Sequence, residues 1–188
     1  MAAAEAGKAK ALRVLLGSGD CGVNAKDLYG RTALMLAVNN RSTAAMGLLL
    51  DAGADPEAAD RRGATPLSLA ANVCKVPHMR LLVARGAQVD KRVNQGRTAL
   101  MVAANTGSVA ATQALLALGA DADAKDTAGC DALSMCFVDE CVALLKDAER
   151  IQRWHRRRRL VAWKAELLGS RPGTLGQPEL PTGATGEP

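Results

Sequence analysis

One stretch of eight residues, Gly30-Arg-Thr-Ala-Leu-Met-Leu-Ala37, recurs with small changes along the chain. Its second and third copies begin at Gly63 and Gly96, and a weaker fourth copy begins at Gly129. This regular 33-residue period is typical of proteins built from stacked repeats. The sequence therefore predicts several copies of one small structural unit.

The residues within each copy predict a turn followed by two short helices. The leading glycine can adopt the positive φ that a tight turn requires. The threonine two positions later is a good helix N-cap, and Pro66 stands where the first turn of a helix tolerates proline. Gly53, Gly86 and Gly119 keep the same period, and we expect them to end the second helix of each unit.

The runs Thr32–Ala37, Thr65–Ala70 and Thr98–Ala103 resemble the Thr-Pro-Leu-His-x-Ala signature of the ankyrin repeat, which has the same period. The resemblance covers about residues 2–148 and implies an all-α solenoid of about five helix-turn-helix repeats with short hairpin-like turns. The repeats are expected near residues 1–26, 27–59, 60–92, 93–125 and 126–148. Other residues replace the histidine of the signature, so we expect its local hydrogen bonding to be lost. They are Met35, Ser68, Met101 and Ser134.

The composition agrees with packed helices and disfavours several other classes of protein. Of the 188 residues 48% are hydrophobic but only 2% are aromatic, which disfavours β-sandwiches and β-barrels. No run approaches the length of about 18 apolar residues that indicates a transmembrane helix, and no signal peptide is evident. Five cysteines, an odd number without CxxC spacing, indicate reduced thiols. We therefore expect a monomer in the cytoplasm, the nucleus or both.

The sequence contains no convincing pattern for catalysis, a cofactor or a metal ion. The stretch Gly17–Gly22 fits GxGxxG, but it follows a helix, whereas a dinucleotide-binding loop must follow a strand. The two histidines, His78 and His155, lie in different regions without the spacing of a zinc site. Cys130 lies at a turn tip and is a candidate for a reactive thiol. We expect a protein that is not an enzyme.

The resemblance implies that protein partners bind a concave face formed by the turn tips and the first helices. Carried over position by position, it gives a set of partner-binding candidates. They are Leu28, Tyr29, Arg31, Asn39, Asn40, Arg61, Arg62, Asn72, Asn94, Gln95, Arg97 and Asn105. The arginines among them predict a mildly basic groove that suits acidic or hydrogen-bonding protein segments.

Three of these candidates, Asn39, Asn72 and Asn105, form a column because they recur at the same place in successive repeats. In one interpretation they end the first helices, because asparagine tolerates the left-handed conformation and caps locally. In the other interpretation they form a polar ladder that binds a partner.

Residues Glu149–Leu168 contain no glycine or proline and predict a basic amphipathic helix. Seven basic and two acidic residues give this segment a charge of +5, which equals the net charge of the chain. Its candidate binding residues are Arg153, Trp154, Arg156, Arg157, Arg158, Arg159 and Trp163. After it, nearly half of the chain from Gly169 to Pro188 is glycine or proline, which predicts a disordered tail.

Four interpretations of the basic helix remain open. It is a cap on the last repeat, a nuclear-import or nucleic-acid-binding patch, a calmodulin target, or a helix that lies on a membrane surface. Trp154, Val161 and Leu167 have the spacing of calmodulin anchors, whereas Val161 and Lys164 break the second half of an IQ motif.

The function that the resemblance implies is a non-catalytic protein–protein interaction module, acting as an adaptor, scaffold or regulator. One alternative is a nuclear regulator whose arginine-rich helix binds nucleic acid, an import receptor or calmodulin. A further alternative is a stoichiometric inhibitor of the kinase-inhibitor type.

Overall fold

The computed structural model describes residues 2–5, 9–17, 22–39 and 43–167, and within these ranges it contains helices and turns but no strand. The α-helices are α1 (Ala2–Glu5), α2 (Ala9–Gly17), α3 (Ala33–Val38), α4 (Ala44–Asp51), α5 (Pro66–Asn72), α6 (Val76–Ala84), α7 (Ala99–Asn105), α8 (Val109–Ala117) and α9 (Asp139–Leu167). A single 3₁₀ turn, Asn94–Gly96, precedes α7. The expected all-α architecture is confirmed.

The helices pair within each repeat and stack from one repeat to the next. The pairs α3 with α4, α5 with α6 and α7 with α8 form the second, third and fourth repeats. The first helices contact one another in the order α1, α3, α5 and α7, and among the second helices α2 packs on α4 and α6 on α8. Each repeat therefore buries its apolar residues against its neighbours.

Small residues allow the first helices to approach one another closely. Ala37, Ala70 and Ala103, one from each central repeat, have no exposed surface. The second helices contribute a column of larger side chains, Leu49, Leu82 and Leu115, each at most 1% exposed. Both columns keep the period of the sequence, so the same packing recurs at each junction.

The threonine of each full copy caps a first helix, as the sequence predicts. The hydroxyl oxygens of Thr32, Thr65 and Thr98 accept hydrogen bonds from backbone N–H groups three residues later, at 3.3–3.4 Å. The expected loss of local hydrogen bonding at the histidine position is wrong for serine. The Ser68 hydroxyl oxygen accepts from Thr65 N at 3.0 Å and donates to Thr65 O at 2.9 Å. Ser134 forms the same pair of bonds with Asp131.

The first glycine of each copy is required by both its backbone conformation and the space around it, as Gly30 shows. Its φ is +77°, and a Cβ atom there would lie 2.9 Å from the backbone nitrogen of Arg61 in the next turn. A larger residue would therefore strain the backbone and push the neighbouring repeat away. The predicted helix stops Gly53, Gly86 and Gly119 likewise have positive φ.

Repeat five departs from the others because it is shorter. Residues 132–135 form turns where a first helix is expected, and α9 takes the position of the second helix. Buried Cys141 in α9 lies 3.8 Å from the hydroxyl of Thr112 in α8. The helix expected from Glu149 thus begins earlier, at Asp139, and ends at Leu167. No glycine or proline interrupts Asp139–Leu167, and Asp139 and Glu140 favour a helix N-terminus at this point.

The contacts divide the chain into two compact units, Met1–Arg150 and Ile151–Pro188. The first contains the repeats, and the second contains the last part of α9. Several expectations fall outside the described residues: Asn40, the tail 169–188 and the side chains of Trp154, Arg156, Arg157, Arg158, Arg159 and Trp163.

Candidate functional site

An aspartate organises three of the four turns that begin repeats two to five. Asp27 Oδ1 accepts hydrogen bonds from the backbone N–H groups of Tyr29 and Arg31 at 2.9 and 2.8 Å. Asp60 and Asp126 bind the corresponding backbone groups of their own turns at 2.8–2.9 Å. Burial raises the pKa of Asp27, but the hydrogen bonds from Arg31 and Tyr29 outweigh it and hold that pKa below its ordinary value. These aspartates therefore hold the turns in shape and are not free to bind a partner.

Arg31 is engaged within its own turn. Its guanidinium pairs with Asp27 Oδ2 at 2.8 Å and lies 5.0 Å from the centre of the Tyr29 ring. The Tyr29 side chain makes this contact and yet is 67% exposed. Leu28 beside it is 82% exposed, so the turn presents an exposed aromatic and aliphatic tip.

Arg61 and Arg62 form the tip of the third repeat, and both are exposed. Within the described part of the chain neither forms an ion pair. The backbone N–H of Arg61 donates to Tyr29 O at 3.1 Å, which ties the tips of repeats two and three together. A hollow of about 300 Å³ between these tips is lined by Tyr29, Arg31, Asp60, Arg61 and Arg62.

The turn of repeat four is built differently, because Val93 replaces the aspartate. Without a carboxylate to organise it, the turn becomes a 3₁₀ turn in which Gln95 has a φ of +61°. A left-handed non-glycine residue costs about 1–2 kcal/mol. Repeat four is joined to repeat five through Gln95 O, which accepts from Thr127 N at 3.0 Å. The equivalent bond to repeat three, from Asn94 N to Arg62 O, is absent from the described residues.

A second hollow, of about 350 Å³, lies at this junction between repeats three and four. It brings together six of the predicted partner-binding residues, which come from two different repeats. They are Arg62, Asn72, Asn94, Gln95, Arg97 and Asn105. Leu69 of α5 and Val102 of α7 supply apolar wall between them. Leu28 and Asn39 do not line either hollow.

The asparagine column stands at the ends of the first helices: Asn39 is the C-cap of α3, and Asn72 and Asn105 are the last residues of α5 and α7. Asn39 has a φ of −70°, and within the described chain only Cys74 and Gln95 among non-glycine residues have positive φ. The side-chain amides of Asn39, Asn72 and Asn105 form no hydrogen bond with other described residues. The asparagines therefore end the first helices, as one interpretation predicts, but without the left-handed conformation or a side-chain cap, and their amides are available to a partner.

Arg153 and Cys130 line neither hollow. Arg153 is exposed, and the other named residues of the basic segment lie on the helical backbone of α9. Cys130 is half-buried, and its backbone N–H is held by Asp126. No helix in the described ranges is long and apolar enough to cross a membrane. Those ranges also contain no cluster of three side chains suited to a metal ion.

Sequence reasoning missed a second column of side chains, on the loops that follow the second helices. Asn24, Glu57 and Asp90 occupy the same place in successive repeats, and each accepts a backbone N–H from the next repeat. The donors are Asp55, Gln88 and Asp121, at 2.8–2.9 Å. The sequence did contain a signal for this column, because a residue with a side-chain acceptor oxygen recurs at these positions every 33 residues. We call these three residues the acceptor column; it fixes the spacing of the repeats that form the hollows.

Comparison with known proteins agrees with this architecture. A family model described as ankyrin repeats in three copies matches residues 1–92 and again residues 47–126. A search of curated proteins finds no significant match. The matched region, residues 1–126, carries both hollows and the acceptor column. The chain belongs to the ankyrin repeat family.

Proposed function

We propose that this protein is a non-catalytic adaptor or regulator that binds a protein segment on the face carrying the turn tips and first helices. Ankyrin repeats are in general protein–protein interaction modules, and this chain has the repeats but no evident catalytic constellation in its described part. One observation supports the choice of face: six predicted side chains from two repeats line one hollow of about 350 Å³.

The polar groups of this face are poorly satisfied within the protein. Asn72 and Asn105 lack hydrogen bonds to described residues, and Arg61 and Arg62 lack carboxylate partners there. The asparagine donors are held on short, packed helices and the arginines on a hydrogen-bonded turn, so the backbone that carries them loses little freedom when a partner binds. A rigid face of this kind suits an extended segment that supplies acceptors.

The test is affinity purification with the full-length chain from nuclease-treated lysate. The combined change Arg61→Glu and Arg62→Glu reverses the charge of the face. Its control is Arg80→Glu with Lys146→Glu, which reverses the same charge at two exposed positions on α6 and α9. Circular dichroism checks that both variants are folded. We expect the first variant to lose the proteins that the wild type and the control recover. Recovery of the same proteins by the first variant would remove this face from consideration.

A second candidate function rests on the basic part of α9. The backbone is helical through Leu167, so Arg156, Arg157, Arg158 and Arg159 follow one another along a helix. A basic helix is the form in which calmodulin recognises its targets, and it also suits phosphates or an acidic import receptor. Replacing the four arginines with glutamine tests this: binding to calmodulin or nucleic acid, or nuclear accumulation of a fluorescent fusion, should be lost.

Localisation in the cytoplasm, the nucleus or both is part of the proposal, and the same fusion tests it. Inhibition of a kinase at equimolar protein would favour the inhibitor alternative over an adaptor.

A further inference from the structure

We propose that the hollow between repeats three and four is a carboxylate-binding subsite, which receives an aspartate or glutamate side chain of an extended partner segment. The inference rests on the proposed function and names the chemistry that the partner must bring. Three features of this one junction support it: the charges, the unsatisfied donors and the open backbone edge.

The charges in the hollow are all positive. Its lining includes the guanidinium groups of Arg62 and Arg97 and no carboxylate. The contrast is with the neighbouring hollow, where Asp60 is part of the lining and Arg31 is paired with Asp27. A carboxylate would therefore meet two cations here, and the acid nearest to them, Asp126, is not part of the lining.

Arg97 is incompletely satisfied by its surroundings. Its Nε is buried without a hydrogen-bond partner, and the nearest carboxylate oxygen, Asp126 Oδ2, is 3.9 Å away. Asp126 is itself occupied, because its other oxygen holds two backbone N–H groups of its turn. Because Nε is buried, an incoming carboxylate would pair with the terminal N–H groups of the Arg97 side chain, which is 39% exposed.

The surroundings of the two cations suit the rest of an extended peptide. Asn72 and Asn105 also line the hollow, and side-chain amides bind peptide N–H and C=O groups. The half-buried side chains of Leu69 and Val102 can cover the aliphatic part of a glutamate. A volume of about 350 Å³ is near the lower end of ligand pockets, about 300–1,000 Å³, and fits one inserted side chain.

The position of the hollow has a structural cause. At the junctions on either side, a backbone hydrogen bond closes the turn tips: Arg61 N to Tyr29 O, and Thr127 N to Gln95 O. Between repeats three and four the corresponding groups, Asn94 N and Arg62 O, do not bond to each other. They leave a backbone donor and acceptor at the rim, where an extended segment can add its own hydrogen bonds.

The experiment is an NMR titration of the ¹⁵N-labelled full chain with two blocked pentapeptides, Ac-Ala-Leu-Glu-Leu-Ala-NH₂ and its glutamine counterpart. We expect the glutamate peptide to shift the side-chain amide signals of Asn72 and Asn105, with at least about tenfold tighter binding than the glutamine peptide. Arg62→Gln should weaken the affinity for the glutamate peptide at least about fivefold, whereas Arg80→Gln should change that affinity by less than about twofold. Equal binding of the two peptides, or no shift at these amides up to about 10 mM, would overturn the subsite.

Two further outcomes are decisive. Equal weakening by Arg62→Gln and Arg80→Gln would mean non-specific charge attraction and overturn the inference. If inorganic phosphate shifts the same amide signals and binds more tightly than the glutamate peptide, the carboxylate assignment is overturned and the site is a phosphate site. The proposed function is tested separately, by capture of proteins from lysate. If the Arg61 and Arg62 variant loses this capture but the glutamate peptide does not bind the wild type, the subsite is overturned and the proposed function is not.

Discussion

Glu57 in repeat two accepts a hydrogen bond from the backbone N–H of Gln88 in repeat three, with 2.8 Å between Glu57 Oε1 and Gln88 N. Its other carboxylate oxygen lies 3.6 Å from Lys91 Nζ. The contact is repeated by Asn24 and Asp90 at the neighbouring junctions, so one side chain per repeat sets the distance to the next. Repeat arrays depend on such nearest-neighbour contacts for their stability.

Glu57→Ala should therefore destabilise the protein. The change leaves the N–H of Gln88 without its acceptor, and we expect the free energy of unfolding to fall by about 1–2 kcal/mol. Urea denaturation followed by circular dichroism measures it. Glu57→Gln keeps an acceptor oxygen and is the control, with an expected loss below about 1 kcal/mol because only the pair with Lys91, whose side chain is 44% exposed, is affected. Equal losses in the two variants would contradict the role given to the hydrogen bond.

A missing link between repeats two and three can be supplied by Ala59→Lys. Lys26 Nζ donates to Ala59 O at 2.8 Å, and Arg92, two repeats after Lys26, donates to Lys125 O. Ala59 is the intermediate member of this series and has no donor. A lysine there should reach the carbonyl of Arg92 and raise the free energy of unfolding by up to about 1 kcal/mol. Lys26→Ala should lower it by a similar amount; a stabilising effect of that variant would contradict the argument.

Val93→Asp should restore the usual turn in repeat four. An aspartate would accept the N–H groups of Gln95 and Arg97, as Asp27 does in repeat two, and would pair with Arg97 as Asp27 pairs with Arg31. We expect a gain of about 1 kcal/mol in urea denaturation. The reverse change, Asp27→Val, should cost at least as much. If Val93→Asp is neutral or destabilising, the aspartate does not organise these turns in the way described.

We expect Asp131 to make part of the free energy of unfolding depend on pH. The hydrogen bond from Ser134 N lowers the pKa of this carboxyl below its ordinary value, against the opposing effect of burial. A group with a lowered folded pKa stabilises fully above its unfolded pKa, about 3.9, and this contribution is lost as the pH falls through the folded value.

Thermal unfolding of Asp131→Asn tests this component. Asparagine still accepts from Ser134 N but does not ionise, so the melting temperature of the wild type should fall further than that of the variant between about pH 5 and pH 2.5. A difference between the two proteins that stays constant over this range would contradict the assignment.

Alanine substitutions at Gly107 and Gly47 should change the free energy of unfolding in opposite directions. Gly107 has a φ of +68°, and an added Cβ would lie 2.8 Å from Val138 Cγ2, whereas an added Cβ at Gly47 in α4 would meet no atom within 4 Å. Gly107→Ala should destabilise by about 1–3 kcal/mol. Gly47→Ala should stabilise by about 0.5–1 kcal/mol, because alanine favours a helix interior. Effects of the same sign would mean that the junction of repeats four and five adapts freely.

The sequence by itself determined the repeat and its local parts. The regular period, the threonine caps, the turn glycines and the glycines that end the second helices depend on contacts within a few residues, and these are encoded locally. The all-α fold and the residues of the turn tips follow from them. The family resemblance also indicated the face to which those tips belong.

Only the tertiary structure decided how the candidates combine. It separates Arg31, which pairs with Asp27, from Arg62, which has no such partner in the described chain, although both occupy turn tips. It shows that Asn72 and Asn105 line one hollow with unbonded amides, and that Glu57 joins two repeats. Each of these facts depends on distances between side chains that the sequence separates widely, and those distances are set by the stacking of whole repeats rather than by local sequence.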